Sequence, residues 1–435
     1  ENKLRQQKYR ENKKERLVTK PPPSSFRSRQ SFVHVNSQIC NTKSQYEECS
    51  TNSACGCFHP TDGNGNSFCG FLWVTCSELS SCGTPNNDCY EPGYICAHHT
   101  RYHDYPVCYP YLMATSEICP PMAIPLRAPA IDIHSNAKWI QNGLTVAGGN
   151  GSGNAINQLS YPYGLYVDDD QTIYIADTSN HRIMEWKYGA TSGQVVVGGN
   201  GQGNGANQLD TPVDVIVDKE RDSLIICDYG NSRVVRWPRR NDTSGETIIS
   251  NISCMGLAMD ENGSLYVVDT GKHEVRRYRI NDTEGIVVAG GNGYGNRPDQ
   301  LSNPSYAFVD RDHSVYVSDK LNNRVMQWKD GAKEGTVVVG GQGERNSLSQ
   351  LYYPEGVVVD QLGTVYVIDG WNYRIIRWPK GATQGSVIAG DNERGGESNQ
   401  FYYPIGLSFD LHGNLYVADQ WNHRVQKFNI EQTTN

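Results

Sequence analysis

Cysteine is the residue type with the most chemical reach in this sequence. Thirteen are present, and eleven crowd into residues 40 to 119: Cys40, Cys49, Cys55, Cys57, Cys69, Cys76, Cys82, Cys89, Cys96, Cys108 and Cys119. That density marks either a disulfide scaffold or a metal module. Zinc sites want thiolates paired as C-x2-C, because both must reach one ion. No such pair occurs, and the closest is Cys55-Gly56-Cys57. His98, His99 and His103 have no paired cysteines beside them, so disulfides without a metal are the expectation. Eleven is odd, so one thiol is free or pairs elsewhere, and connectivity is not readable from sequence. The histidines beyond the cysteine-rich stretch are His134, His181, His273, His313, His412 and His423. No G-x-S-x-G elbow and no H-E-x-x-H motif accompanies them, so no catalytic residue and no cofactor are assigned.

A sixfold repeat positions the rest. Aspartate, three residues on asparagine, two further on arginine: Asp177, Asn180, Arg182 recur as Asp228, Asn231, Arg233, as Asp319, Asn322, Arg324, as Asp369, Asn372, Arg374 and as Asp419, Asn422, Arg424. A degraded copy holds Asp269, Lys272 and Glu274. The aspartates are 51, 41, 50, 50 and 50 residues apart. Repeats of this length mean a solenoid, a propeller or an array. Within the first copy, four short apolar runs near residues 164–168, 173–177, 183–186 and 195–197 are separated by Gly, Asn and Asp, which reads as a four-stranded meander. An aspartate ends the first run of every copy (Asp168, Asp218, Asp260, Asp310, Asp360, Asp410) and suits a tight turn. An aromatic ends the third run (Trp186, Trp237, Tyr278, Trp328, Trp378, Phe428) and suits packing between repeats.

These residues resemble NHL repeats, with the signature standing as Asn180-His181-Arg182 and Asn422-His423-Arg424. The resemblance covers about residues 143 to 430 and implies an all-β, six-bladed β-propeller of four-stranded antiparallel blades. The last copy stops after its third strand, and the missing strand matches residues 144–149 at the front. That arrangement closes the ring and removes exposed sheet edges. Some six-bladed relatives are enzymes, among them peptidyl-hydroxyglycine lyase, which uses histidines near the propeller centre to hold metal. Here His181, His273 and His423 share the turn position of the repeat, which would spread them around the ring, so a turn role is preferred. The Asp and Arg of the signature are expected to orient the third strand through a charge-assisted contact. The Gly-Gly-Asn-Gly loops lack the aspartates of calcium repeats and the lysine of a phosphate loop, and read as polar connections.

Cys227 and Cys254 fall at strand ends on the same face of neighbouring blades, which suggests a disulfide stapling the short third blade; two buried thiols are the equal alternative. Beside each first strand the chain enters the central channel, and the residues there vary: Tyr161, Tyr163, Asp214, Tyr306, Tyr353, Glu355 and Tyr403. Tyrosines and two carboxylates around a funnel suit a peptide, a glycan or a cation. Plain rim packing is the competing explanation.

Net charge is −8, yet residues 1 to 30 hold ten Lys or Arg against three Glu, a local +7 that leaves −15 for the remainder. That balance argues against a nucleic-acid surface. No apolar run is long enough to span a membrane, although an upstream signal or anchor would precede Glu1. Five Asn-x-Ser/Thr sequons, Asn150, Asn241, Asn251, Asn262 and Asn281, join the cysteines in pointing to an oxidising secretory route. The expected order is a basic tail and linker at 1–36, a disulfide module at 37–120, a linker at 121–142, the propeller at 143–430 and a short tail at 431–435. The expected function is non-catalytic recognition of a protein or glycan partner, extracellular or at the cell surface. The alternatives are a lyase-like secreted enzyme and an intracellular scaffold or RNA-binding propeller.

Overall fold

The computed structural model describes residues 133–431, except 135, 240–243, 280–281, 283 and 391–392, together with the backbone of five strands between residues 55 and 110 and the side chain of Cys108. The basic tail, Cys40, Cys49, Cys76, Cys82, Cys89, Cys119, Asn241 and Asn281 lie outside the described residues. The chain divides into two compact units, Glu1–Ile124 and Pro125–Asn435. In the first, Cys55–Phe58 pairs antiparallel with Phe68–Phe71, which sets Cys57 opposite Cys69. Tyr102–Pro110 runs between Ser80–Ser81 and Tyr94–His99, and its Cys108 lies opposite Cys96. Cys108 is buried and disulfide-bonded.

The second unit is a six-bladed propeller of four-stranded antiparallel sheets. Blade one consists of Pro162–Val167, Ile173–Asp177, Arg182–Trp186 and Gln194–Gly198. Blades two to five repeat that order, beginning at Pro212, Cys254, Pro304 and Pro354. Blade six takes Pro404–Phe409, Leu415–Asp419 and Arg424–Phe428 from the end of the chain and Leu144–Gly148 from the front. Arg424 pairs with Gly148 in that sheet, so a late strand and an early one are joined in a single ladder. Among the described residues no helix is long and apolar enough to cross a membrane.

The core lies between blades rather than within them. Ile173–Asp177 is buried at every residue, because both faces of this second strand meet a neighbouring sheet. The aromatic ending each third strand fills those layers. Trp186 packs with Tyr416 of blade six, Trp237 with Tyr174 of blade one, and Trp328 with Tyr266 of blade three. Each such ring removes enough apolar surface from water to stabilise the stack by about 1.5–3 kcal/mol. On the opposite strand ends, the turn aspartates cap their own turns. Asp260 Oδ1 accepts the N–H groups of Asn262 and Ser264 at 3.0 and 2.8 Å, and Asp310, Asp360 and Asp410 repeat the motif.

Candidate functional site

The face carrying the signature turns and the long inter-blade loops is built by two devices. The first is a clamp. Asp369 is fully buried, and its Oδ1 accepts the N–H of Tyr352 at 2.6 Å. Its Oδ2 accepts Asn372 Nδ2 at 2.9 Å and Arg374 Nε at 2.8 Å. The far end of Arg374 donates to the carbonyls of Asn346 and Ser347 at 2.7 and 3.0 Å, in the loop that precedes the blade. Arg182, Arg233, Arg324 and Arg424 do the same for their own loops. The signature thus orients the third strand and also fastens a loop whose backbone would otherwise lack partners.

The second device is a latch between blades. The residue four after each signature aspartate has left-handed backbone, with φ of +53° at His181 and +52° at His423. His423 Nδ1 accepts the N–H of Tyr161 at 3.1 Å, His181 Nδ1 that of Thr211 at 3.0 Å, and His273 Nδ1 that of Asn303 at 3.2 Å. Asn323 Oδ1 fills the same place for Tyr353 at 2.9 Å. The recipients Tyr161, Thr211, Asn303 and Tyr353 are themselves at φ between +51° and +55°, as is Tyr403. Non-glycine residues in this region are strained, and the surroundings hold them there.

That strain, with the register shift after the first residue of each inner strand, re-aims side chains at the channel mouth. Two residues after the first residue of the inner strand, four blades have glycine: Gly164, Gly256, Gly356 and Gly406. A Cβ there would strike the next inner strand; at Gly356, for example, it would lie 2.7 Å from the Ile405 carbonyl oxygen. Asp214 and Tyr306 stand at the two exceptions. Asp214 is buried and accepts the N–H groups of Leu257 and Val215 at 2.8 and 2.9 Å. Burial pushes its carboxyl up to about 7, against the downward pull of those two donors. Tyr163 and Tyr306 stack with centroids 6.3 Å apart. Burial raises both phenols well above their ordinary range, and the charges of Glu355 and Asp214 add to the shift.

Glu355 is fully buried, and its Oε1 forms an ion pair with Lys320 Nζ at 2.6 Å and accepts the Tyr403 hydroxyl at 2.9 Å. The Lys320 ammonium lies 5.8 and 5.9 Å from the ring centroids of Tyr353 and Tyr403. Above them sit two tryptophans. Trp371 is 43% exposed and touches Tyr403 with centroids 5.5 Å apart; Trp421 is 44% exposed and meets Tyr402 at 4.8 Å. The structure therefore gathers Tyr163, Asp214, Tyr306, Glu355 and Tyr403 around one channel, with Tyr353 at its lip. Tyr161 stands apart on the rim, edge-on to the His423 ring.

Sequence reasoning missed Lys320, Trp371 and Trp421. All three occupy the two positions between the Asp and Asn of the signature, which read Thr-Ser, Tyr-Gly, Lys-Leu, Gly-Trp and Gln-Trp in the five intact copies. Variation inside an otherwise fixed motif was the available signal. Cys227 and Cys254 are disulfide-bonded, with Cα atoms 5.4 Å apart. Asn150, Asn251 and Asn262 are exposed. The opposite face holds a concavity of about 680 Å³ between blades three, four and five. Its carboxylates Asp260, Asp310 and Asp360 are already engaged by the turns described above.

A model of the NHL repeat matches residues 159–184, 351–378 and 401–428. No curated protein matches the sequence. Among solved structures, a structural genomics protein of unknown function from Bacteroides thetaiotaomicron is similar at 16% identity and a TM-score of 0.55, over 88% of this chain and 100% of its own. An auxiliary nutrient binding protein from the same species gives 16% identity and 0.53, over 68% and 78%. Another auxiliary nutrient binding protein, from Bacteroides ovatus, gives 12% and 0.50, over 69% and 75%. At these identities the likeness is one of fold. The chain carries NHL repeats, and they fold as a six-bladed β-propeller.

Proposed function

We propose that this propeller is a non-catalytic recognition module, extracellular or at the cell surface, that binds a protein or glycan partner in the aromatic funnel. The observation that carries this reading is the pair of half-exposed tryptophans, Trp371 and Trp421, set on tyrosines above buried carboxylates. Apolar rings with a few convergent polar groups and perturbed titratable residues are what a binding pocket requires. The histidines favour recognition over metal chemistry, because His181, His273 and His423 each commit Nδ1 to a neighbouring blade. The Cys227–Cys254 disulfide and the exposed sequons Asn150, Asn251 and Asn262 support the oxidising compartment.

The test screens the protein, secreted from eukaryotic cells, against panels of glycans and cell-surface ectodomains. A partner that uses the funnel loses at least about tenfold in affinity when Trp371 and Trp421 are both changed to alanine, since interface tryptophans dominate binding energy. Binding that survives this double change places the site elsewhere. Free thiols in the secreted protein would overturn the extracellular assignment.

A further inference from the structure

The carboxylate at the floor of the funnel is served on one side only. Glu355 Oε1 takes both partners, the Lys320 ammonium as an ion pair and the Tyr403 hydroxyl as a hydrogen bond. Glu355 Oε2 is equally buried and accepts no hydrogen bond, and the buried Tyr306 OH is likewise unpartnered. A buried carboxylate oxygen without a donor is costly. The ammonium of Lys320 nonetheless sits between the rings of Tyr353 and Tyr403, at distances where aromatic faces attract a cation. The result is a cation cage filled by the chain's own lysine, which uses half of its counter-ion.

We propose that this cage is the seat of an arginine side chain from a protein partner, which enters by displacing Lys320. The inference rests on the reading that the funnel is the docking face. An ammonium is a point charge and has settled on one oxygen; a planar guanidinium presents a fork that engages both oxygens of a carboxylate at once. Arginine would therefore satisfy Oε2, which lysine leaves bare. Lys320 can yield, because it reaches the cage on a flexible stem from the edge of the signature turn, Lys320–Asn322. With Lys320 withdrawn, the buried Glu355 carboxylate is left without a cation, which favours a cation over an anion. Trp371, touching both Tyr353 and Tyr403, is placed to cover the incoming stem.

The experiment titrates the full chain with the peptide acetyl-Ala-Arg-Ala-amide and with its citrulline counterpart, which keeps the shape and removes the charge. Tryptophan fluorescence and calorimetry read the binding. The arginine peptide is expected to bind, the citrulline peptide at least about tenfold more weakly, and Lys320→Met is expected to tighten the arginine peptide about tenfold by removing the internal competitor. Glu355→Gln is expected to abolish the preference for arginine. The peptide comparison on the unaltered protein needs no variant, so a variant that fails to fold does not spoil the test. Equal binding of the two peptides, no arginine binding up to about 10 mM, or an unchanged affinity in Lys320→Met overturns the inference. If a partner from the screen still depends on Trp371 and Trp421 in that case, the funnel reading stands and the arginine assignment alone falls. If that dependence is missing as well, both fall.

Discussion

Blade three and blade five solve the same mechanical problem differently. Blade five is preceded by a long loop, residues 341–353, and its Asp369–Arg374 clamp holds that loop by its carbonyls. Blade three is preceded by residues 251–253 alone, and its signature has decayed to Asp269, Lys272 and Glu274. The arginine has nothing to hold there, so its loss is a consequence of the short loop. The seam between blades two and three is tied instead by the Cys227–Cys254 disulfide and by Asp214, whose Oδ2 accepts the N–H of Leu257. The signature is therefore a loop fastener, and a blade without the loop needs another fastener in the same place.

The strongest way to break this comparison is to remove the same aspartate from both blades. Asp369→Ala strands Arg374, which is 2% exposed, as a buried charge without its counter-ion. That change is expected to cost about 3–5 kcal/mol. Asp269→Ala is expected to cost only about 1 kcal/mol, since its Oδ1 accepts a single hydrogen bond, from the Lys272 N–H at 3.2 Å, Lys272 Nζ stands 3.9 Å away on an exposed side chain, and Oδ2 accepts none. Urea unfolding of the two variants reads the difference. Equal costs would show that the clamp is not what separates the blades. Glu274→Arg sharpens the point, because an arginine without loop carbonyls should add no stability.

Next in size is the staple. Cys227 and Cys254 are 27 residues apart, and closing a loop of that order restricts the unfolded chain by roughly 3 kcal/mol. Replacing both with serine should lower the unfolding free energy by about that amount. A loss near zero would move the burden of the seam onto its remaining contacts.

Asp214 adds a pH signature to the same seam. Its folded carboxyl is raised to about 7 by burial, whereas an unfolded aspartate titrates near 4. The native state therefore binds this proton more tightly, so the contribution is greatest in acid and is lost as pH climbs from about 4 toward 7. Between about pH 5 and pH 8 the decline is on the order of 2 kcal/mol. Asp214→Asn should flatten it, and paired urea midpoints at the two pH values decide. Parallel slopes in the two proteins would remove Asp214 from the account.

Much of this was legible because a repeat states each local rule several times. The strand runs, the turn aspartates and the aromatic layer recur at fixed offsets, and each of them turned out to be a backbone or packing requirement. The funnel was legible in part for the opposite reason, since Asp214, Tyr306 and Glu355 depart from the small or apolar residues at those offsets. Lys320, Trp371 and Trp421 were not found, because they fall inside the signature and look like turn filler until a turn is seen to face the channel. The partner of each histidine was hidden too. A hydrogen bond to the next blade links residues far apart in sequence, as with His423 and Tyr161 across the closure of the ring.

That last latch yields the smallest effect and the most specific one. His423→Ala removes the acceptor for the Tyr161 N–H and should cost about 1 kcal/mol. His423→Asn should recover most of the loss, because Asn323 already performs this task for Tyr353. Acid distinguishes the two acceptors. The latch needs an unprotonated Nδ1, and burial lowers the His423 pKa below its usual 6.5. A histidine depressed in the folded state stabilises fully above the unfolded pKa and loses that contribution as pH falls through the folded one. The melting temperature of His423→Asn, measured against the unaltered protein at neutral pH and again in mild acid, should therefore gain ground in acid. If asparagine fails to rescue at neutral pH, the ring of His423 serves Tyr161 by its edge-on packing rather than by the hydrogen bond.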